Sequence, residues 1–463
     1  MSQLPKGWVG CKLGNVVDYG KTVKADMTNI DDETWVLELE DLEKDSSKIL
    51  QRVSFGERKP KSAKNAFKTG DVLYGKLRPY LNKIVVAHED GICTSEIIPL
   101  KVPTGLLDNR FLFYWLKGRV FGDYVNAVSY GVNMPRLGTK DGLNAPMVLA
   151  PFAEQTRIVE KLDEVLAQVD TIKARLDGIP AILKRFRQSV LAAAVSGKLT
   201  EEWRGNAEYS DSKNQLVPST WEVRAAKDIC VKVQSGSTPR NDPFNQNGTI
   251  PFLKVYNIVN QKIDFDYKPQ FITSETHSET LKRSLAYPGD VLMNIVGPPL
   301  GKVAILTDQY PEWNLNQAIT LFRANEEILL NKYLYFVLCE GELVRAVMPE
   351  TKGSVGQVNI SLSQCRDSLI PLPPLEEQKE IVRLVDQYFA FADTIEAQVK
   401  KAQARVDKLT QSILAKAFRG ELVPQDPSDE PADKLLERIA AARKEAEALA
   451  KAAKKAGRKR AKA

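Results

Sequence analysis

Pro374-Leu375-Glu376-Glu377-Gln378-Lys379-Glu380-Ile381-Val382 repeats, 223 residues on and without a gap, the stretch Pro151-Phe152-Ala153-Glu154-Gln155-Thr156-Arg157-Ile158-Val159. The match continues through Asp170-Thr171-Ile172 and Asp393-Thr394-Ile395, and closes on Gly197/Leu199 and Gly420/Leu422. A period this long is no solenoid; it marks two whole modules in tandem and predicts internal pseudo-two-fold symmetry. Within the repeat, apolar residues fall in unbroken steps of four and three. The first copy gives Ile158, Leu162, Val165, Val169, Ile172, Leu176, Ile179, Leu183, Phe186 and Val190. The second gives Ile381, Val385, Tyr388, Ala392, Ile395, Val399, Ala402, Val406, Leu409 and Ile413. That spacing keeps one seam facing a partner helix and predicts coiled-coil rods of roughly 65 Å each. Both strands of a pair lie in one chain, so an intramolecular antiparallel pairing is expected. Pro180 removes a backbone donor and should kink the first rod; Gln403 stands at the twin position.

Outward from the repeat, shorter landmarks recur in the same order with drifting spacing. Leu4-Pro5-Lys6-Gly7-Trp8 resembles Val217-Pro218-Ser219-Thr220-Trp221, and Gly70-Asp71-Val72-Leu73 returns as Gly289-Asp290-Val291-Leu292. Asn109-Arg110-Phe111 returns as Asn331-Lys332-Tyr333, and Val132-Asn133 as Val358-Asn359. Short apolar or β-branched runs bounded by Gly, Pro or Asn predict strands at 35–39, 71–74, 84–87 and 97–102. Their counterparts fall at 250–256, 290–295, 303–306 and 318–322, with helices near 109–126 and 331–347. The fold class is α+β: two tandem mixed modules, separated and followed by long helices. The divisions fall at 1–150, 151–203 (helical spacer), 204–372 (linker and second module), 373–422 (second helical spacer) and 423–463, a basic tail expected to be partly disordered.

Composition narrows the chemistry. The 463 residues carry a formal charge of +6, but residues 434–463 alone hold 11 Lys/Arg against 3 Glu, so the remainder is slightly acidic. Any phosphate-binding surface on the modules must therefore be a local patch. Five scattered cysteines without a C-x-x-C pair fit reduced thiols in a cytoplasm. Two histidines, His88 and His277, make zinc binding and Ser-His catalysis poor prospects, and no apolar stretch is long enough to span a bilayer. Asn241-Asp242-Pro243-Phe244 lacks the second proline of an adenine-methyltransferase motif, and Gly297-Pro298-Pro299-Leu300-Gly301-Lys302-Val303 is one residue short of a phosphate loop. No catalytic or metal site is expected.

Leu372-Pro373-Pro374-Leu375-Glu376-Glu377-Gln378 resembles the proline signature of the specificity subunits of type I restriction–modification systems. Ser235-Gly236-Ser237-Thr238-Pro239, Gly301-Lys302-Val303-Ala304-Ile305-Leu306 and Gly356-Gln357-Val358-Asn359-Ile360 are similar to that family too. So is the order target-recognition domain, helix, target-recognition domain, helix, up to about residue 422. Thr410-Gln411-Ser412-Ile413-Leu414-Ala415-Lys416-Ala417-Phe418 looks like its enteric subgroup. The resemblance implies a non-catalytic subunit that reads a split, asymmetric site on double-stranded DNA. It further implies two methyltransferase and two restriction subunits as partners, with S-adenosylmethionine, ATP and Mg2+ held by those partners and none by this chain.

Residues able to meet DNA are the basic, amide and aromatic side chains beside the landmarks: Lys76, Arg78, Tyr80 and Arg136 in the first half. In the second half they are Arg240, Lys254, Asn257, Lys302, Lys352, Gln357 and Asn359. Arg engages guanine bidentately, and Asn or Gln adenine; each of these residues is otherwise a solvated surface group or a turn cap. The repeated Glu154-Gln155 and Glu377-Gln378 pairs are expected to face the partner subunits. Two other functions remain open at this point: a self-contained methyltransferase or nuclease, and a coiled-coil scaffold without sequence specificity.

Overall fold

The computed structural model describes residues 4–205, 208–239, 244, 248–348 and 359–460, with Glu447 and residues 450–460 as backbone only. The chain forms two compact units, Met1–Asp177 with Lys401–Ala463, and Gly178–Lys400. The division runs through the two long helices, Phe152–Val195 and Leu375–Ala417, so each unit owns one end of both. The first helix continues through Pro180 from Phe152 to Val195.

In unit 1 the predicted strands appear slightly trimmed. Val72–Gly75 lies between Ile84–Val86 and Ile97–Leu100, antiparallel to both. A second sheet orders Val23–Lys24, Asn65–Phe67, Gly91–Cys93 and Trp35–Leu37, the last pair parallel. The helix expected over 109–126 is two, Asn109–Lys117 and Arg119–Val128, broken at Gly118. Asp108 caps the first, accepting from the amides of Arg110 and Phe111 at 2.8 and 3.0 Å. One antiparallel pair is not legible in the sequence: Val9–Lys12 against Pro146–Leu149. It joins the start of the module to the strand that leads into the first long helix.

Unit 2 repeats the plan. Val291–Asn294 pairs with Val303–Ile305 and Ile319–Ala324, and Cys230–Ser235 extends that sheet. Helices Asn331–Glu340 and Glu342–Val347 break at Gly341, and Glu222–Ala225 pairs with Leu369–Leu372 as the closing strand pair.

Each core is built the same way. In unit 1, Val72, Tyr74 and Ile98 of the sheet meet Phe111 and Trp115 of the following helix. Ile158 and Leu162 start the first long helix there, while Leu414, Ala417 and Phe418 end the second. In unit 2, Val291, Met293 and Phe322 meet Tyr333 and Val337, with Ile381 and Val385 from a helix start and Val190, Leu191 and Ala194 from a helix end. Burial of these apolar side chains, at about 25 cal/mol per Å2, is what fixes each module to its helices. The helix ends turn on twin glycines. Gly197 and Gly420 sit at φ +77° and +75°, and a Cβ on either would collide with the ring of Pro218 or Pro5.

The tail departs from expectation. Residues Ala432–Arg460 form a helix whose first turns belong to the unit 1 core, with Ala432, Leu435 and Ile439 buried. The disorder expected of 423–463 does not apply there, because these apolar residues at steps of three and four give the helix a face to bury.

Candidate nucleic-acid interface

The strand Val72–Gly75 delivers Lys76 to a rim where two distant segments meet. Leu77 bridges Arg136, the Lys76 carbonyl accepts from the Leu137 amide at 3.1 Å, and the Arg78 amide donates to the Pro135 carbonyl at 2.7 Å. Arg78 holds φ +48°, a left-handed conformation uncommon for a long side chain, and is exposed. The structure thus brings together Lys76, Arg78 and Arg136, with Tyr80 54% exposed beside them. Arg136 is not fully free, since Glu96 accepts from its Nε at 3.1 Å. Above the rim stands a loop in which Tyr130 and Met134 are exposed and Val132 is 100% exposed. In the sequence Val132 serves only as a landmark; an apolar tip between a glycine and a proline is the signal there for a projecting loop. The arrangement combines cations for phosphate or guanine with apolar and aromatic surface for a base edge.

The twin rim in unit 2 has the same plan and different chemistry. Here the Ile295 carbonyl accepts from the Ile360 amide at 2.9 Å, so Asn359 lies beside the strand end, exposed. The Asn294 side chain ties the intervening loop, donating to the Pro299 carbonyl at 3.0 Å and accepting from the Lys302 amide at 2.6 Å. This Asn is buried and fixes where half-buried Lys302 stands. Lys254 lies 4.3 Å from the Phe244 ring centroid, a cation–π contact. Arg240, Lys352 and Gln357 lie outside the described residues.

Asn257 is a correction. It is fully buried, its amide donates to the carbonyls of Asp264 and Tyr267 at 3.0 and 2.8 Å, and its oxygen accepts from the Lys254 amide at 3.1 Å. With donors and acceptor engaged by backbone, it is a turn-holding residue and has nothing left for a base.

The four residues expected to face partners are also corrected. Glu154, Gln155, Glu377 and Gln378 are buried inside their own units. Gln155 accepts from the Asp108 amide at 2.9 Å and donates to the Ala150 carbonyl at 2.9 Å. Gln378 accepts from the Leu330 amide at 2.8 Å and donates to the carbonyls of Ile328 and Pro373, each at 2.8 Å. Each glutamine therefore ties the start of a long helix to the loop that opens the module helix. Each glutamate takes the indole of the landmark tryptophan: Trp8 Nε1 to Glu154 and Trp221 Nε1 to Glu377, both at 2.9 Å. A first-turn carboxylate beside a helix N-terminus reads in sequence as a surface charge, which hides its burial.

The two glutamates differ. Arg204 and Thr200 reach Glu377 Oε1 at 2.6 and 2.8 Å. Among the described residues, Glu154 Oε1 has no hydrogen-bond partner. Burial pushes the Glu154 carboxyl above its usual range, and the Trp8 hydrogen bond offsets this only in part. Among the described residues no group of three or more His, Cys, Asp or Glu could hold a metal ion, and no helix is long and apolar enough to cross a membrane.

Comparison with known proteins gives the family and the fold. Residues 218–403 match the type I restriction modification DNA specificity domain. The chain is 36% identical over 372 residues to the type I restriction enzyme EcoKI specificity subunit of Escherichia coli strain K12, covering 77% of this chain and 76% of the relative. It is 34% identical over 397 residues to the EcoBI specificity subunit of Escherichia coli, covering 82% and 80%. Among solved structures, a chain from a study of complex assembly and conformational transition of the type I R-M system superposes with a TM-score of 0.70 at 22% identity. It covers 91% of this chain and 100% of that one. The HsdS subunit from Thermoanaerobacter tengcongensis gives a TM-score of 0.59 at 22% identity, covering 90% and 98%, and so shares the fold.

Proposed function

The chain belongs to the type I restriction enzyme specificity subunits, and on that premise we propose that each of its two modules reads one half of a split, asymmetric DNA site. The observation that carries this reading is the pair of rims. They occupy the same topological place in both units, yet one presents Lys76, Arg78, Tyr80 and Arg136 while the other presents Lys302 and Asn359. Lys254, which follows the strand Ile250–Leu253 of another sheet, belongs to the proposed set but not to the rim. A shared scaffold with divergent rims is what two different half-sites require. Arg240, Lys352 and Gln357 belong to the same proposed set.

The long helices are proposed to pair as an intramolecular antiparallel coiled coil with pseudo-two-fold symmetry, setting the spacer between half-sites. In unit 1, Lys173 pairs with Asp407 at 2.9 Å and Asp177 with Gln403 at 2.7 Å, so four residues forward on one helix is four back on the other. In unit 2, Arg187 reaches Asp393 at 2.6 Å and Phe186 packs edge-on to Tyr388. Seam residues Ile158, Leu162, Val169, Leu183, Val190, Ile381, Val385, Val399 and Val406 are buried.

Three residues of the expected seam are exposed instead, Ile172 and Leu409 in unit 1 and Tyr388 in unit 2, and off the seam Ile182 and Phe391 of unit 2 are exposed as well. These supply a docking surface for two methyltransferase subunits, to which two restriction subunits add. S-adenosylmethionine, ATP and Mg2+ then belong to the partners, which flip and methylate an adenine in each half-site in the cytoplasm. The test is a genome-wide map of N6-methyladenine in cells with and without this chain. Loss of methylation at one bipartite motif is the expected result; an unchanged map would overturn the proposal.

A further inference from the structure

The C-terminal helix belongs to unit 1 alone. Its Ala432 amide donates to the Gly7 carbonyl at 2.8 Å, and eleven residues on Arg443 bonds the Gly14 carbonyl and the Asp18 carboxylate. Burial pushes Asp18 up, but Arg443 and Lys21 outweigh it and hold the carboxyl below its usual range. The helix therefore runs alongside residues 7–18, from the landmark tryptophan toward Asp18. Just past Asp18, the Tyr19 hydroxyl donates to the Leu137 carbonyl at 3.4 Å, and Gly20 abuts Thr139. Leu137 follows Arg136 of the unit 1 rim, so the helix heads for the edge of the module from which that rim rises.

Beyond Arg443 the helix leaves the core: Lys444, Glu445, Ala446, Ala448 and Leu449 are all exposed. From Lys444 to the end, the sequence holds eight Lys/Arg against two Glu, and after Leu449 no apolar residue larger than alanine. The helical stretch from 444 to 460 extends about 25 Å. After its one exposed leucine, Leu449, the segment offers no large apolar side chain to set into a protein groove, whereas its charge suits a duplex carrying one phosphate charge per about 1.7 Å. In the sequence, Lys444, Lys451, Lys455 and Arg458 recur at steps of seven, four and three, the register of one helix face.

We propose that this helix is a phosphate-binding arm that holds the DNA backbone beside the half-site read by unit 1, without reading bases. The inference rests on the DNA-recognition reading above. Because unit 2 has a short hairpin, Tyr209–Ser212 against Gln215–Pro218, where its chain continues past the twin glycine, the arm makes binding unequal between the halves.

The test uses the complex of the full chain with its methyltransferase subunits. It is compared with a chain ending at Arg443, and with one carrying K454Q, K455Q, R458Q, K459Q and R460Q. On a duplex with the cognate site, both variants should bind about tenfold or more weakly near 0.15 M salt, with the slope of log K against log salt smaller by about 3. Assembly and the methylated motif should not change. Uncharged methylphosphonate linkages around the half-site of unit 1 should erase the difference, and around the other half should leave it. Unchanged affinity and slope in both variants would overturn the proposal. So would loss of subunit assembly with the slope intact, which would make the tail a protein-docking element. Absence of any preferred bipartite site for the full-length complex would instead sink the underlying reading.

Discussion

Glu154 and Glu377 occupy the same place in two units of one chain, and their surroundings have diverged. Both are buried in the first turn of a long helix and both accept from a landmark tryptophan at 2.9 Å. Glu377 gains an arginine hydrogen bond from Arg204, whose side chain is only 5% exposed. In unit 1, Arg157 pairs instead with Asp429 at 2.6 Å. The glutamine beside each glutamate keeps its backbone partners in both units. The amide clamp is what the modules share; the electrostatic filling around the carboxylate is free to change. The difference teaches that likeness between the copies tracks the backbone clamp joining each module helix to its long helix, while the charged neighbours of the shared carboxylate vary.

The comparison can be broken most severely at Glu377. Glu377→Ala takes one acceptor from Arg204, Thr200 and the Trp221 indole together and should cost unit 2 about 2–4 kcal/mol, read as faster amide exchange across its core. Loss of less than about 1 kcal/mol would show the ion pair to be incidental. The twin glycines test sameness. Gly197→Ala and Gly420→Ala each force a side chain into a left-handed turn against a proline, so each should cost about 2–4 kcal/mol in its own unit. Unequal costs would argue against equivalent junctions.

The rims test difference. Arg78→Ala or Arg136→Ala should weaken binding by about 1–3 kcal/mol and relax specificity in one half of the site only. A uniform loss over both halves would assign these arginines to a structural role. The smallest effect belongs to Glu154→Gln. The folded unit favours the protonated carboxyl, so its contribution is full below the ordinary carboxylate range and is lost as pH climbs through the raised folded value. Unit 1 should therefore lose stability over that rise, and Glu154→Gln should flatten the dependence while changing neutral-pH stability by less than about 1 kcal/mol. Melting curves of the variant against pH check this; a dependence that persists unchanged would place its source elsewhere.

Much of the scaffold is legible because its signals are local. Runs such as Val72-Leu73-Tyr74 and Val303-Ala304-Ile305 are short and apolar and each begins two residues after a glycine, and apolar steps of four and three mark the two long helices. The closing strands Val9–Lys12 and Pro146–Leu149 are not legible, since their pairing depends on residues more than 130 positions apart. The same holds for the rim. The sequence singles out Lys76, Arg78 and Arg136 separately, and only the Leu77–Arg136 bridge makes them one site. Asn257 and the Glu-Gln pairs mislead because polarity suggests exposure unless a specific buried partner is known. In the tail, lysine-rich composition masks the spacing of Ala432, Leu435 and Ile439, which is itself a sufficient signal for a packed helix.

The claim that two equivalent scaffolds carry independent readings is tested most directly by exchanging residues 1–150 for those of a related specificity subunit and mapping methylated adenines in cells. The account predicts a new bipartite motif that differs from the original in one half, with the other half unchanged. A motif altered in both halves would contradict it.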